Sequence, residues 1–220
     1  MIDTRKNSDI IKSNVRSKGG ENITNIKEKI LNSAINLFYK KGFEATGVRE
    51  IAKKAKVSTS MINYHFGSKN GILEEIMEIF FSQMNEYLDK EHVKEKDLEI
   101  RLRLAIKSLI NALRKNEKMF KIIMLHIPEE NTKLVNLRAK KLKEIIFKKI
   151  WIDDFKGFEN SEGIRYDIIG PALSGIIFSH FLLKDLIPQI TNSNIDNEFY
   201  EVYPDYIADI YLYGVLKKLK

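Results

Sequence analysis

Cysteine is absent from the 220 residues of the chain. This absence excludes disulfide bridges, cysteine-ligated zinc and thiol catalysis, and it is typical of a cytoplasmic protein. An apolar signal segment is also missing, because residues 1–22 are polar and basic. The longest apolar run, residues 168–183, is interrupted by glycine, proline, serine and histidine. It therefore predicts a buried helix and no membrane partner.

Motifs of catalysis and metal binding are scarce as well. The histidines stand at positions 65, 92, 126 and 180, and no pair of them has the spacing of metal ligands on a helix. No glycine-rich phosphate loop is present, and "ALSGI" around Ser174 lacks the G-x-S-x-G pattern of a serine nucleophile. We therefore predict no enzyme activity, no metal site and no cofactor, with an enzyme as the weaker alternative.

Positive charge is concentrated in the first third of the chain. Residues 1–72 hold 14 Lys and Arg against 6 Asp and Glu, a net charge of +8, whereas residues 73–220 hold 23 against 24, a net charge of −1. A local positive field of this kind attracts polyanions such as nucleic acid. A solvated basic surface is the alternative, and charge alone does not decide between the two.

Strand and hairpin patterns are lacking, as are repeats of fixed period. Apolar residues instead recur at helical spacing along most of the chain, which predicts an all-α fold. We expect a basic arm at 1–22, a small basic three-helix domain at 23–72 and a larger neutral helical domain at 73–220. Beyond the basic domain, helices are predicted at about 73–90, 98–114, 117–126, 130–151, 165–186 and 197–218.

Start and stop signals divide the basic domain into its helices. Asn25 and Glu28 form a capping-box pattern at the start of the first helix, which is expected to end at Gly42. Thr46 is predicted to cap a short second helix. A tight turn then leads to a third helix, which is predicted to run from Ser58 to about residue 66.

Helix, short helix, tight turn and short helix is the layout of a helix-turn-helix. On the third helix, Ile62 and Phe66 form a stripe that is expected to be buried. The opposite face consists of short, uncharged side chains, namely Ser60, Met61 and Tyr64, flanked by Thr59 and Asn63. Such residues fit the major groove of DNA, where they contact base edges, thymine methyl groups and phosphates. Arg49 on the second helix and Lys69 after the third are placed to meet phosphates.

The segment "GFEATGVREIAKKAKVSTSMINYHFGSKNGIL", residues 42–73, resembles the N-terminal domain of the TetR family of bacterial transcriptional regulators. The resemblance covers residues 24–75. Three positions depart from the family pattern. Lys56 replaces the usual glycine of the turn, Gly47 stands where serine or threonine is common, and Asn63 stands at a frequent tyrosine position. The resemblance implies that these changes affect which DNA sequence is bound, and not whether DNA is bound.

By position, the resemblance implies DNA contacts from residues of the second and third helices and from Lys69, just after the third helix. These residues are Thr46, Arg49, Ser58, Thr59, Ser60, Met61, Asn63, Tyr64, His65 and Lys69. His65 borders the buried face, so a structural role is an open alternative for it. Tyr64 is expected to contact DNA, since no core partner is implied on its face, and an ordinary surface aromatic is its alternative.

The resemblance also implies a C-terminal helical domain that binds a small effector and dimerises through its last two long helices. Candidate interface residues are Ala172, Gly175, Ser179, Tyr203, Ile207, Ile210 and Gly214, for which packing within the chain is the alternative. Candidates for the effector pocket are Phe80, Met84, Phe120, Met124, His126, Phe147, Tyr166, Phe178 and Phe181. Ordinary core packing is the alternative for each of them, and an aromatic, Met-rich pocket favours an apolar effector.

The predicted function is therefore that of a cytoplasmic DNA-binding regulator. We expect a homodimer that represses by binding a palindromic operator in double-stranded DNA and that is released by a small, mostly apolar effector. The alternative is a DNA-binding adaptor or architectural protein whose second domain binds a protein partner and no small molecule.

Overall fold

A computed structural model describes residues 21–88, 97–145 and 166–219, and all regular elements in these ranges are helices. They are α1 (Glu21–Lys41), α2 (Val48–Ala55), α3 (Thr59–Phe66), α4 (Lys69–Leu88), α5 (Leu98–Lys115), α6 (Glu117–Leu125), α7 (Thr132–Leu142), α8 (Tyr166–Leu183), α9 (Ile187–Thr191) and α10 (Asn197–Leu219). The predicted all-α fold is confirmed. None of these helices is both long and apolar enough to cross a membrane.

The chain divides into two compact units. Within the described ranges, the first unit holds residues 21–80 and 118–136, and the second holds the remainder. This division differs from the boundary predicted between residues 72 and 73. The early part of α4 belongs to the first unit, where its apolar side chains, such as Ile72 and Ile76, are fully buried. The predicted arm lies outside the described residues up to residue 20.

The first helix is longer than its capping pattern predicted. α1 begins at Glu21, so Asn25 lies inside the helix and does not cap it. The helix buries one face, including Ile30, Ala34 and Phe38. It ends at Gly42, as predicted, where φ is +85° and the backbone N–H donates to the carbonyl of Phe38 at 2.8 Å.

The second helix begins without a side-chain cap. Gly47 occupies the cap position, and no side chain satisfies the first N–H groups there. Thr46, the predicted cap, is buried, and its Oγ1 donates to the Gly42 carbonyl at 2.8 Å. The prediction for Thr46 was wrong because the hydroxyl bonds back to the turn that follows α1, four residues earlier.

The second helix ends in a left-handed residue that is not glycine. Lys56 has φ 58° and ψ 44°. Its N–H donates to the Lys53 carbonyl at 3.3 Å, and the Val57 N–H donates to the Ala52 carbonyl at 3.0 Å. This pair of bonds is a Schellman motif, which usually places glycine in the left-handed position. A residue with a Cβ costs about 1–2 kcal/mol in this conformation.

In the second unit, α5, α8 and α10 pack together. Their buried faces include Leu102, Leu109, Leu173, Ile177, Ala208 and Leu212. Arg103 on α5 pairs with Glu99 and with Asp209 of α10. The helix predicted at 165–186 is shorter than expected, because α8 ends at Leu183 and the separate α9 begins at Ile187, with Pro188 in its first turn. The predicted helix at 130–151 extends beyond residue 145, outside the described residues.

Candidate nucleic-acid interface

The helix α3 is positioned by a cap, a buried anchor and a glycine stop. The Ser58 Oγ accepts from the Met61 backbone N–H at 3.3 Å and so caps the helix. Ile62 is fully buried, as predicted, whereas Phe66, the other residue of the predicted inner stripe, is half-buried. Gly67, with φ +71°, ends the helix, and its N–H donates to the Asn63 carbonyl at 2.9 Å.

The outer face of α3 is exposed and carries no charge. Thr59, Ser60 and Asn63 are exposed, Tyr64 is 78% exposed, and Met61 is half-buried at the edge of this face. The Ser60 and Ser58 hydroxyls are 2.6 Å apart, so they form a hydrogen bond with each other. The structure thus brings the predicted outer residues together on one solvent-facing surface, and their contacts with DNA stay a prediction.

His65 lies closer to the core than to this surface. Its side chain is half-buried, and its Nε2 atom is buried without a hydrogen-bond partner. The imidazole ring makes an edge contact with the Tyr64 ring at 5.0 Å and lies 6.2 Å from the Phe66 ring. Of the two alternatives for His65, this placement favours the structural one.

Two other predicted DNA contacts use their side chains within the protein. The Thr46 hydroxyl is buried, as described above. Lys69 is the first residue of α4, and its Nζ donates to the carbonyls of Phe43 at 2.9 Å and Glu44 at 3.4 Å. The same ammonium group lies 4.2 Å from the centre of the Phe43 ring. Lys69 therefore ties the start of α4 to the turn after α1. One N–H of its ammonium group remains for a phosphate.

Several exposed cations lie on and directly after α2. Arg49 occupies the first turn of the helix, as predicted, and is exposed. Lys53, Lys54 and Lys56 are exposed at the other end of α2. DNA binding requires cations for the phosphates and short side chains for the base edges in the groove. The exposed cations of α2 and the uncharged outer face of α3 provide both.

Gly71 is a positioning residue that the sequence analysis missed. A Cβ atom at this position would lie 1.9 Å from the Phe66 carbonyl oxygen, far inside contact distance. The backbone at the end of α3 therefore rests directly on α4. Ion pairs from Lys27 to Glu75 and from Lys133 to Glu74, each at 2.7 Å, also attach α4 to α1 and α7. A glycine inside a helical pattern was the available signal.

The predicted effector residues are divided between the two units. Phe80 and Phe120 are buried in the first unit with ring centres 6.3 Å apart, and Met84 and Phe181 are buried in the second. These placements favour core packing. The remaining described candidates, Met124, His126 and Phe178, are half-buried. Phe147 lies outside the described residues, as does the side chain of Tyr166.

An open cleft of about 630 Å³ lies in the first unit and involves none of the predicted effector residues. It is lined by Phe43, Glu44, Lys69, Asn70, Pro128, Glu130, Asn131, Thr132 and Lys133. Nearby, the His126 Nδ1 atom lies 3.6 Å from the place where a Cβ of Gly42 would stand. Burial lowers the pKa of His126, which favours the neutral imidazole there.

The predicted dimer-interface residues face in two directions. Ala172, Gly175 and Ser179 are exposed along α8, and Ile210 is 63% exposed on α10. Ile207, however, is buried within its own unit, and the Tyr203 ring lies 4.3 Å from the ring of His180. The exposed apolar stripe of α10 instead consists of Val202, Tyr206, Ile210 and Tyr213. The side chains of α10 from residue 214 onward, Gly214 included, lie outside the described ones.

A buried aromatic cluster in the second unit surrounds His180. Its Nε2 atom is 2.9 Å from the Tyr200 hydroxyl, and its ring is stacked on Phe199 at 5.4 Å. Burial, followed by the nearby Lys184 cation, lowers the pKa of His180 from 6.5 to about 4 against the opposing effect of Glu117. His180 is therefore neutral at physiological pH and serves the core of this unit.

Sequence relatives match the helix-turn-helix segment. The family model of the bacterial regulatory proteins of the tetR family matches residues 30–76. A probable HTH-type transcriptional regulator, YttP of Bacillus subtilis, is 43% identical over 63 residues, 29% of this chain and 30% of that protein. The negative transcriptional regulator of the biofilm operon icaADBC, IcaR of Staphylococcus aureus, is 37% identical over 60 residues, 27% of this chain and 32% of that protein. The matches thus span about a third of each relative.

Solved structures extend the similarity to the fold of most of the chain. The fatty acid degradation regulator FadR from Bacillus halodurans has a TM-score of 0.67 at 16% identity, covering 90% of this chain and 98% of that one. The regulator FadR from Bacillus subtilis, solved in complex with stearoyl-CoA, has a TM-score of 0.63 at 19% identity, covering 84% and 97%. The helix-turn-helix segment is thus similar to that of the bacterial regulatory proteins of the tetR family, and the helical fold of most of the chain is similar to that of the solved regulators.

Proposed function

We propose that the protein is a transcriptional repressor that binds a palindromic DNA operator. The observation that carries this proposal is the exposed, uncharged face of α3, which Tyr64 dominates, beside the exposed Arg49 of α2. Short polar side chains enter the major groove and contact bases, while flanking cations bind phosphates and fix the register. IcaR, which shares this segment, is a negative regulator, and this supports repression over activation.

The proposed repressor acts as a homodimer formed through α8 and α10. The stripe on α10 includes Tyr206 and Ile210, which are 67% and 63% exposed, and α8 offers Ile168 at 57% beside its small residues. Exposed apolar side chains that line up along a helix in this way are typical of an interface between proteins. A two-fold axis through such an interface is expected to set two α3 helices about 34–36 Å apart, one turn of DNA.

Release from the operator is proposed to follow the binding of a small, mostly apolar effector in the cytoplasm. Within the second unit, the half-buried Phe178 is an apolar candidate for its contacts, and the similar FadR was solved with stearoyl-CoA. Moving a two-state equilibrium from 1:99 to 99:1 requires about 10⁴-fold tighter binding of the effector to one conformation. A thermal-shift screen with acyl and aromatic compounds separates this proposal from the adaptor alternative, in which no compound stabilises the protein.

The DNA-binding part is tested by selecting bound fragments from random DNA and measuring the affinity of the selected sequence at several salt concentrations. A specific, salt-sensitive complex is expected. Tyr64→Ala should lower operator affinity by about tenfold or more through lost base contacts. Leu125→Ala is a matched control, because Leu125 is an apolar side chain of the first unit that lies on α6 and is 55% exposed. Equal effects of the two substitutions would contradict the assignment.

A further inference from the structure

The exposed side chains of α3 limit which bases the helix can recognise. Guanine is recognised most often by the forked guanidinium of arginine or by lysine. Along its whole length, Thr59–Phe66, α3 contains neither residue. The only imidazole on the helix, His65, has its Nε2 atom buried. The helix therefore presents no cation to a guanine.

The two cations that were predicted to contact DNA from neighbouring elements, Lys69 and Arg49, do not lie on α3. The ammonium of Lys69 is bound to the carbonyls of Phe43 and Glu44. Arg49 is exposed, but it lies on α2. Its guanidinium is thus available to a phosphate or to a base pair beside those that α3 contacts.

The groups that α3 does present suit adenine and thymine. Asn63 is exposed and carries the one side-chain amide of the helix, and an amide pairs with the N6 and N7 atoms of adenine through two hydrogen bonds. Met61 is half-buried at the edge of the exposed face, where its thioether arm offers apolar contact to the C5 methyl group of thymine. The Ser60 hydroxyl is already paired with Ser58.

We propose that the base pairs recognised by α3 in each half-site are A·T pairs, with Asn63 on the adenine edge and Met61 on a thymine methyl group. This inference rests on the DNA-binding function proposed above and names the class of operator. It follows from the side chains that the helix exposes and from the internal bonds that occupy Lys69 and Ser60.

The test uses modified bases in an operator obtained by selection from random DNA. Deoxyuridine in place of each thymine removes only the methyl group. Made at a single thymine of one half-site, the replacement should lower the affinity of the full-length protein about fourfold, the effect of burying one methyl group. Met61→Ala should abolish this difference at the same position, and Met61→Leu, which keeps an apolar side chain of similar volume, should retain it.

The adenine contact is tested in the same way. 7-Deazaadenine lacks the N7 acceptor and should lower affinity about tenfold or more at one adenine of each half-site. In Asn63→Ala the modified and unmodified operators should bind equally. Lys140→Ala, an exposed position on α7, should behave as the wild type with both modified operators. Thermal unfolding of every variant checks that the fold is kept.

The outcomes distinguish the inference from the proposed function. Failure to select any sequence from random DNA would refute the DNA-binding function itself. If an operator is selected but neither modified base lowers affinity, or if Met61→Ala and Asn63→Ala keep the wild-type sensitivity to them, the assignment of A·T recognition to α3 is overturned while the function stands.

Discussion

Large apolar side chains are exposed to different extents in the two compact units. Among the described residues of the first unit, Tyr64 and Leu125 are exposed. In the second unit the exposed ones are Ile100, Ile168, Leu183, Leu186, Ile190, Val202, Tyr206, Ile210 and Tyr213. A surface for a hydrated polyanion needs polar groups and cations, whereas a surface for another protein gains free energy from apolar burial. The contrast supports DNA contact by the first unit and self-association by the second.

The largest effect on stability and DNA binding is expected from Gly71→Ala, a substitution within the first unit. The new Cβ would overlap the Phe66 carbonyl oxygen, and two backbone segments cannot both keep their places. We expect a loss of roughly 3 kcal/mol or more, at the upper end of overpacking effects, with loss of operator binding. Urea denaturation and DNA-binding assays measure the two effects, while sedimentation should still show a dimer.

Gly47→Ser is the control for this substitution. No atom lies within 4 Å of a Cβ at Gly47, and a hydroxyl there supplies the missing cap of α2. A gain of a few tenths of a kcal/mol is expected. A Gly71→Ala protein as stable as the wild type would mean that α3 does not rest on α4 as the structure shows.

The second prediction separates the functions of the units. Ile210→Glu places a charge in the exposed stripe of α10 and should convert the dimer to monomers, as measured by sedimentation. Operator affinity should fall at least 100-fold, because one half-site supplies only part of the binding free energy. Leu125→Glu, the equivalent change in the first unit, should leave the dimer intact. A dimeric Ile210→Glu protein would refute the proposed interface.

The third prediction concerns acid stability of the second unit. The unfolded chain protonates His180 near pH 6.5, whereas the folded chain, with its pKa lowered to about 4, does not. Stability that is fully present above pH 6.5 is therefore lost as the pH falls towards 4, by up to roughly 3 kcal/mol. His180→Gln should flatten this part of the profile of unfolding free energy against pH. Identical slopes for variant and wild type would contradict the buried, neutral imidazole.

The two units also differ in how far their surfaces could be predicted from sequence. In α3, Ile62 and the polar residues opposite it alternate at helical spacing, so the exposed face was predictable. In α10, tyrosines and isoleucines occur on every side, so spacing alone could not distinguish the buried Ile207 from the exposed Tyr206. Thr46 was misassigned for another reason, since its hydroxyl can cap a helix or bond back to an earlier carbonyl, and only the backbone decides.

The smallest effect is expected at Lys56, whose left-handed conformation in the turn before α3 is unfavourable for a residue with a Cβ. Lys56→Gly removes a Cβ from a left-handed position and should raise the unfolding free energy by about 1 kcal/mol. Lys53→Gly is its matched control, because it removes an equal charge from the α2 interior, where glycine costs about 1 kcal/mol. If Lys56 contacts a phosphate, its loss should also reduce the slope of log affinity against log salt by about 1. A stabilised variant with an unchanged slope would leave the lysine without a role in DNA binding.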